Sequence, residues 1–349
     1  MKLKSQLFIT TIFLSYLLAY PQQAISYASN PILPDGVNTM KARDDEDPRA
    51  AISKYTKQIE INSNNTTAYF KRGNAKYDLK DYHAAIDDYE RVIKINPNCA
   101  SAYYNRGNAK SDLKDYRGAI DDYSHAIELK SHNFKAYTNR GNVKLTMGDK
   151  RGAIDDYNKA VELNSQDADT YHNRGIVKSL FKDYHGAIAD FNRVIEINPK
   201  YAEAHYNRGV AKYNLKSYKS AIDDYVMAIE LHPNAAIYNN RANAKSDLKD
   251  YKGALIDYDQ AVKLDSNSPY IYNNRGAAKF MLGDKKGAIE DYKQALKINP
   301  NVEIARKNLD LIQSDLGHQT SSWISGNYVP LFLSTGLLGI AGMYLKKRK

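Results

Sequence analysis

The chain has only one cysteine, Cys99, among its 349 residues. A single cysteine excludes an intrachain disulfide and a cysteine-rich metal site. The eight histidines are scattered without the spacing of metal ligands, and no glycine-rich phosphate loop, nucleophile elbow or HExxH motif occurs. We therefore predict no metal site, no cofactor, no small-molecule substrate and no catalytic residue, and we do not expect the protein to be an enzyme.

The chain also lacks a strong excess of charge of either sign in its body. It carries 50 Lys and Arg residues against 40 Asp and Glu residues, a net charge of +10. Lys2, Lys4 and the terminal KKRK supply six of the positive charges, so the body between these ends has a net charge of only about +4. This excess is too small and too interspersed to follow a phosphate backbone, which excludes nucleic acid as the expected partner.

An eight-residue pattern recurs along the chain. The stretch YYNRGNAK at Tyr103–Lys110 returns in near-copies that begin at Tyr137, Tyr171, His205, Tyr238 and Tyr272, and the variant YFKRGNAK begins at Tyr69. The small residue of the pattern recurs every 34 residues, with one interval of 33, at Gly73, Gly107, Gly141, Gly175, Gly209, Ala242 and Gly276. Such a period indicates a solenoid, in which each repeat buries its apolar face against its neighbours.

Each period contains two helical patterns. In the second repeat a first helix is predicted over about 101–113, and a second helix starts after Asp115, whose carboxylate can accept from free backbone N–H groups. Six of the seven repeats have Asp at this place, and we expect Ser217 to cap the helix in the remaining one. Along the second helix, apolar residues recur with helical spacing at Tyr116, Ala119, Ile120, Tyr123, Ala126 and Ile127.

These features make the chain resemble the tetratricopeptide repeat family. Tyr103, Gly107, Ala119 and Tyr123 occupy the family's characteristic offsets, and Pro97 ends the preceding repeat. The resemblance implies an all-α fold, a right-handed superhelical solenoid of seven full helix–turn–helix repeats over residues 66–302. We expect a partial N-terminal repeat at 47–65 and a capping helix at 303–316, with Ile304, Leu309 and Ile312 facing inward.

Two charged positions depart from the family pattern in all seven repeats. Counting repeat positions from residue 66, so that the recurring glycine is position 8, Arg stands at position 7 and Lys at position 11. The family usually has an apolar residue and an aromatic residue there. Position 23 on the second helix is always Asp, and a guanidinium matches a carboxylate well. We therefore predict repeated pairs between the arginines at 72, 106, 140, 174, 208, 241 and 275 and the aspartates at 88, 122, 156, 190, 224, 257 and 291.

The two ends of the chain predict a location outside the cytoplasm. Residues 1–28 read as a secretory signal peptide, with an uncleaved anchor as the alternative, and a linker follows at 29–46. After a second linker at 317–328, residues 329–349 combine an apolar run with a basic tail. This segment reads as a transmembrane anchor with a cytoplasmic tail, or as a sorting segment that is later removed.

Asparagines predict a peptide-binding face on the first helices. Helical geometry places positions 2, 6, 9 and 13 together, away from the packed face at positions 4, 8 and 11. Position 6 is Asn105, Asn139, Asn173, Asn207, Asn240 and Asn274, and position 9 adds Asn74, Asn108, Asn142 and Asn243. Elsewhere position 9 is apolar, as at Ile176 and Val210. An asparagine amide can pair with both groups of a peptide bond.

The position 6 column resembles the asparagine ladder of the O-GlcNAc transferase superhelix, which holds the backbone of bound polypeptide. Asn74, Asn105 and Lys135 also match part of the carboxylate clamp of chaperone-binding family members, although Phe70 and Asn139 stand where that clamp has cations. The alternative reading is that the asparagines are solvated residues copied with each duplicated repeat.

Together, these features predict a membrane-tethered, extracytoplasmic scaffold that binds polypeptide segments in its groove, as an assembly or adaptor factor. The alternative is a structural envelope protein whose solenoids associate with one another and take no peptide ligand.

Overall fold

A computed structural model describes residues 47–317 of the chain. The predicted signal peptide, the linker at 29–46 and the segment at 329–349 lie outside the described residues, as does the linker at 317–328 except for its first residue. Within residues 47–317 there is no helix that combines the length and the apolar character needed to cross a membrane.

The described residues form sixteen helices, and no strand occurs among them. The first helices of the seven repeats are α2 (Thr66–Asp78), α4 (Ala100–Asp112), α6 (Phe134–Thr146), α8 (Ala168–Leu180), α10 (Ala202–Asn214), α12 (Ala235–Asp247) and α14 (Pro269–Met281). The second helices are α3 (Tyr82–Ile95), α5 (Tyr116–Leu129), α7 (Lys150–Leu163), α9 (Tyr184–Ile197), α11 (Tyr218–Leu231), α13 (Tyr251–Leu264) and α15 (Lys285–Ile298). Helices α1 (Pro48–Ile61) and α16 (Glu303–Gly317) flank them. The predicted all-α fold is confirmed.

The contacts divide the chain into two compact units, one ending at Val177 and the other beginning at Lys178. Within each unit, consecutive helices pack against one another, and the first helices of neighbouring repeats also touch. The last helix shows the expected inward face, because Ile312 is buried and Leu309 packs against the cluster of Ala288 and Tyr292.

Aspartate side chains define where most second helices begin. Asp115 accepts a hydrogen bond from the Gly118 backbone N–H at 3.1 Å, which satisfies one of the donors left unpaired at a helix start. The same contact recurs at the other aspartate caps, for example from Gly152 to Asp149 at 2.9 Å. The prediction for Ser217 was wrong, because Ser217 occupies the cap position but its side chain makes no capping bond.

An aromatic ring at position 24 fills the centre of each repeat. These residues are at most 2% exposed: Tyr89, Tyr123, Tyr157, Phe191, Tyr225, Tyr258 and Tyr292. In six repeats the residue opposite the ring on the first helix is glycine, and in the repeat of Tyr258 it is the small residue Ala242. A Cβ atom added at Gly141 would lie 2.8 Å from Cε1 of Tyr157, closer than packed atoms approach. Position 8 is therefore small because two helices meet there.

We expect Gly141→Ala to lower the free energy of unfolding by about 1–3 kcal/mol, because the added methyl group must displace the Tyr157 ring in a close-packed site. Denaturant unfolding of the variant and of the parent measures the effect. Combining Gly141→Ala with Tyr157→Leu should reduce the penalty of the glycine substitution, since the clash is removed. A full, undiminished penalty in the Tyr157→Leu background would show that the ring is not its cause.

Candidate functional site on the first helices

Arginine and aspartate pair within the repeats as predicted. Arg140 donates through Nε to Oδ2 of Asp156 at 3.0 Å and through Nη2 to Oδ1 at 2.7 Å. Equivalent two-point contacts join Arg72 to Asp88, Arg106 to Asp122, Arg208 to Asp224, Arg241 to Asp257 and Arg275 to Asp291. The prediction is confirmed for these six pairs, and each links the two helices of one repeat.

Each of these carboxylates also forms an ion pair with a lysine. We had not predicted this second contact from the sequence. Lys144 Nζ lies 2.8 Å from Oδ2 of Asp156. The same contact is made by Lys76, Lys110, Lys178, Lys212, Lys245 and Lys279 with the aspartate of their own repeat. The available signal was that Lys at position 11 follows Arg at position 7 by four residues, so both lie on one side of the helix. The aspartates are only 1–4% exposed, and two cations compensate the cost of burying the charge.

The arginines also reach the preceding repeat. Arg140 Nη1 donates to Ser124 Oγ at 2.9 Å, so this guanidinium links its own helix α6 to both α5 and α7. The acceptors at this place, position 25, are Thr56, Ser124, Asn158, Asn192 and Asp259, and Glu90 lies 3.5 Å from Arg106 Nη1. The hydrogen bond that Arg72 donates to Asp88 raises the pKa of Arg72, because it favours the charged form more than burial disfavours it.

Arg241 faces a different residue at this place. Its bonds to Asp257, at 2.9 and 2.5 Å, match those in the other repeats. However, the preceding position 25 is Val226, whose side chain has no acceptor atom. The interval of 33 residues falls in the loop between α11 and α12, so the helices themselves keep the common pattern.

We expect Val226→Asn to raise the free energy of unfolding by about 0.5–1 kcal/mol, because the new amide oxygen can accept from Arg241 as Asn192 accepts from Arg208 at 2.7 Å. Val and Asn have similar helix propensities, so the substitution isolates the new contact. The matched control is Met227→Asn, one residue further along α11, at a side chain that is 41% exposed. If Val226→Asn gains no more than this control, the arginine does not use position 25.

The position 6 asparagines bond to position 9 of the preceding repeat. The Nδ2 group of Asn105 donates to Oδ1 of Asn74 at 2.9 Å, and Asn139 donates to Asn108 at 3.0 Å. Asn173 donates to Asn142 at 3.0 Å and Asn274 to Asn243 at 3.1 Å. The column thus connects neighbouring first helices by amide-to-amide hydrogen bonds.

The buried tyrosine of the repeat shares the same acceptor. Tyr123 donates its hydroxyl to Oδ1 of Asn108 at 2.9 Å, so this oxygen accepts from both Tyr123 and Asn139. The arrangement recurs where Tyr89 meets Asn74, Tyr157 meets Asn142 and Tyr258 meets Asn243. Burial raises the pKa of Tyr123, so its hydroxyl stays protonated and can donate.

Burial divides the predicted site residues into two groups. Among the position 6 residues, Asn139, Asn207, Asn240 and Asn274 are at most 6% exposed, and so are Asn108, Asn142, Asn243 and Val210. The expectation that position 6 lies away from packed surfaces was wrong for these four, and Asn139, Asn240 and Asn274 each bond to the preceding first helix. By contrast, the half-buried members are Asn74, Asn105, Asn173, Lys135 and Ile176.

Where position 9 is apolar, the position 6 asparagine cannot bond to it and bonds to a different acceptor. Asn240 follows Val210 and donates instead to the hydroxyl of Tyr206 at 3.0 Å. Near the end of the solenoid, Asn274 donates to Asn239 at 3.3 Å, and Asn308 donates to Asn273 at 3.0 Å. Asn308 lies on α16 at the place of position 6, so the column extends one helix beyond the predicted site. Counting the repeat pattern through residue 308 would have found it.

The described part of the chain contains no group of three or more His, Cys, Asp or Glu side chains that could hold a metal ion. What the first helices offer is a row of amides and hydroxyls, together with a few half-buried apolar side chains. Such a face can form hydrogen bonds and apolar contacts with a polypeptide.

Two family descriptions match the chain. TPR repeat matches residues 73–114, 182–216 and 242–283, and Tetratricopeptide repeat matches residues 100–133, 134–167, 202–234 and 269–302. Together these matches cover more than half of the chain, and neither indicates a catalytic family. The helix pairs and their repeated contacts define an all-helical repeat scaffold. The chain belongs to the tetratricopeptide repeat family, whose fold suits interaction with other proteins.

Solved structures share this fold. The C-terminal part of a TPR repeat-containing protein from Cytophaga hutchinsonii is 21% identical over 68% of this chain and 98% of its own, with a TM-score of 0.55. A tetratricopeptide repeat protein from Parabacteroides merdae is 20% identical over 75% of this chain and 99% of its own, with a TM-score of 0.50. YrrB, described as a TPR protein with an unusual peptide-binding site, is 24% identical over 53% of this chain and 96% of its own, with a TM-score of 0.48. No curated protein matches the chain.

Proposed function

We propose that this protein is a membrane-tethered, extracytoplasmic scaffold that binds polypeptide segments along its first helices. The observation that carries this proposal is the burial and the hydrogen bonding of Asn105 and Asn173. Both are half-buried, and both are held by one amide hydrogen bond to the preceding repeat. They are therefore oriented by the fold and still border the surface.

The remaining bonding capacity of these amides suits a peptide backbone. An asparagine side chain has two N–H donors and an oxygen with two lone pairs. The contact with Asn74 uses one donor of Asn105, and the contact with Asn142 uses one donor of Asn173. The other groups can pair with the N–H and C=O of an extended chain. Because the inter-repeat bond already restricts the side chain, binding costs less rotamer entropy.

The buried asparagines support the site from beneath. Asn108 and Asn139 hydrogen bond to each other at 3.0 Å and link the same repeats whose half-buried residues face the ligand. We assign direct contact first to Asn105 and Asn173, with Asn74 and Lys135 beside them.

Apolar side chains give the face some selectivity. Ile176 is half-buried and follows Asn173 by three residues on α8, so the two lie on the same side of the helix. A ligand with a large apolar side chain near the amide of Asn173 gains contact with Ile176. Contacts with the peptide backbone then give affinity for many sequences, and the apolar contact gives higher affinity to peptides with a large apolar side chain at this place.

The membrane tether and the location outside the cytoplasm rest on residues 1–28 and 329–349. The first segment has the basic start and apolar run of a secretory signal, and the second joins an apolar run to KKRK. Both ends support the same topology. The repeats would then face a compartment where secreted or membrane-bound polypeptides are assembled.

Replacing Asn105 and Asn173 together by Ala should weaken binding to many unrelated unfolded peptides by a similar factor. Each lost neutral hydrogen bond is worth roughly 0.5–1.5 kcal/mol, so the pair should cost about 5- to 150-fold in affinity. Fluorescence anisotropy with a panel of unstructured peptides measures this effect. A control variant, Asn158→Ala, removes an asparagine of α7 that contacts Arg174 rather than the amide column.

The peptide panel also separates the two functions that the sequence suggests. Unchanged affinity in a folded double variant would remove these asparagines from the binding site. If no peptide binds the parent protein and the protein instead forms homo-oligomers, the structural alternative is favoured.

A further inference from the structure

Lysines occupy an unfavourable backbone conformation in the turn between the two helices of most repeats. At position 15, Lys80, Lys114, Lys182, Lys216 and Lys249 have φ between 59° and 65°. The other two turns have glycine at this position, Gly148 with φ 86° and Gly283 with φ 87°. A side chain disfavours this left-handed region, and glycine does not. Folding alone would therefore favour glycine in all seven turns.

The two glycine turns keep a lysine nearby. In these repeats the second helix begins with Lys150 or Lys285, whereas the other five second helices begin with tyrosine. Every turn thus carries one lysine, either in the strained position or two residues later. This pattern points to selection for positive charge at the turn. If the lysine had no role and were only duplicated with each repeat, a turn with glycine at position 15 would not be expected to carry a lysine two residues later.

An apolar residue precedes the lysine or glycine in every turn. Five of these position 14 side chains are 41–47% exposed, at Leu79, Met147, Phe181, Leu248 and Leu282, and Leu113 and Leu215 are half-buried. Large apolar side chains that recur on a surface mark an interaction site more often than isolated ones do.

Basic residues also follow the turn. Position 18, in the first turn of the second helix, is His83, Arg117, Arg151, His185, Lys219, Lys252 or Lys286. A helix start favours acidic residues, yet none of the seven second helices has an acidic residue in its first turn. The capping aspartates Asp183, Asp250 and Asp284 direct one oxygen at their own helix backbone. Two departures from local preference therefore occur on the same edge: lysine in place of glycine at a positive φ, and a basic residue in place of an acidic one at the helix start. Both add positive charge to the edge.

We propose that this edge of each unit lies against a negatively charged lipid bilayer. We call it the turn edge, and in the second unit it comprises Phe181, Lys182, Leu215, Lys216, Leu248, Lys249 and Leu282. Lysines attract anionic headgroups, and neighbouring apolar side chains enter the boundary of the acyl chains. This contact goes beyond the proposed peptide site and uses a different surface.

The uniformity of the edge favours lipid over a protein partner. A protein interface concentrates its affinity in a few distinct residues. Here the same pair of properties recurs at every turn, and Leu, Met and Phe replace one another. A bilayer offers the same chemistry at each repeat and does not select the shape of the apolar side chain.

The test uses the full chain with vesicles of phosphatidylcholine alone or mixed with phosphatidylglycerol. Acylation of lysine amines, followed by mass spectrometry, reports which lysines the vesicles cover. We expect Lys182, Lys216 and Lys249 to be protected on the anionic vesicles, and Lys200 and Lys263 to stay reactive. Equal labelling of both groups on anionic vesicles would overturn the proposal, whether or not the terminal segment inserts.

Substitutions give the second readout. Replacing Lys182, Lys216 and Lys249 by Gly should raise the melting temperature and reduce the preference for anionic over neutral vesicles by at least about tenfold, since each surface lysine contributes roughly fivefold. The same lysines changed to Asn, which tolerates positive φ, repeat the test without adding glycine.

The control replaces Lys200, Lys263 and Lys297 by Asn, with the same change in charge. An equal loss in this control would show that net charge, and not the turn edge, determines binding. Retained preference in both turn variants, or binding of soluble polyglutamate but not of anionic vesicles, would also overturn the proposal. Peptide affinity should be unchanged in all variants, so this test and that of the peptide site can fail separately.

Discussion

A buried carboxylate in each repeat is the constraint on which the other features depend. In the third repeat, Oδ1 of Asp156 accepts from Arg140 Nη2, and Oδ2 accepts from Arg140 Nε and contacts Lys144 Nζ. An ionised group withdrawn from water is tolerated only when such partners satisfy it. Because the two cations come from the first helix and the carboxylate from the second, the helices of a repeat can dock in few relative positions.

This constraint extends to the neighbouring repeat and to the candidate site. The same arginine donates to Ser124 of the preceding second helix, so the ion pair also sets how one repeat follows another. Asn139 stands next to Arg140 in the sequence and donates to Asn108. The orientation of the amide column therefore depends on helix positions that the charged groups fix. Apolar residues at positions 7 and 11 could pack these helices as well, but they would specify the register less sharply.

The repeat period, the helix pairs and the arginine–aspartate pairs could be predicted because each depends on residues within one repeat. The predictions that were wrong concerned the packing of one repeat against the next. Asn139 and Asn108 are 31 residues apart, and helical periodicity places both on one face without showing that the next helix covers them. Lys144 was missed because one aspartate was matched with one cation, although a carboxylate can accept several bonds. Ser217 was expected to cap because serine usually does, but its side chain makes no capping bond.

The most direct measurement of the central claim is a double-mutant cycle between Arg140 and Asp156, with Arg140→Ala, Asp156→Asn and the combined variant compared by denaturant unfolding. We expect a coupling free energy of about 1.5–3 kcal/mol, because the pair is charged, bidentate and buried on one side. The reference is the exposed pair of Arg193 and Glu196, 2.9 Å apart on α9, whose coupling should be below about 0.5 kcal/mol. A coupling for Arg140 and Asp156 no larger than this reference would contradict the account.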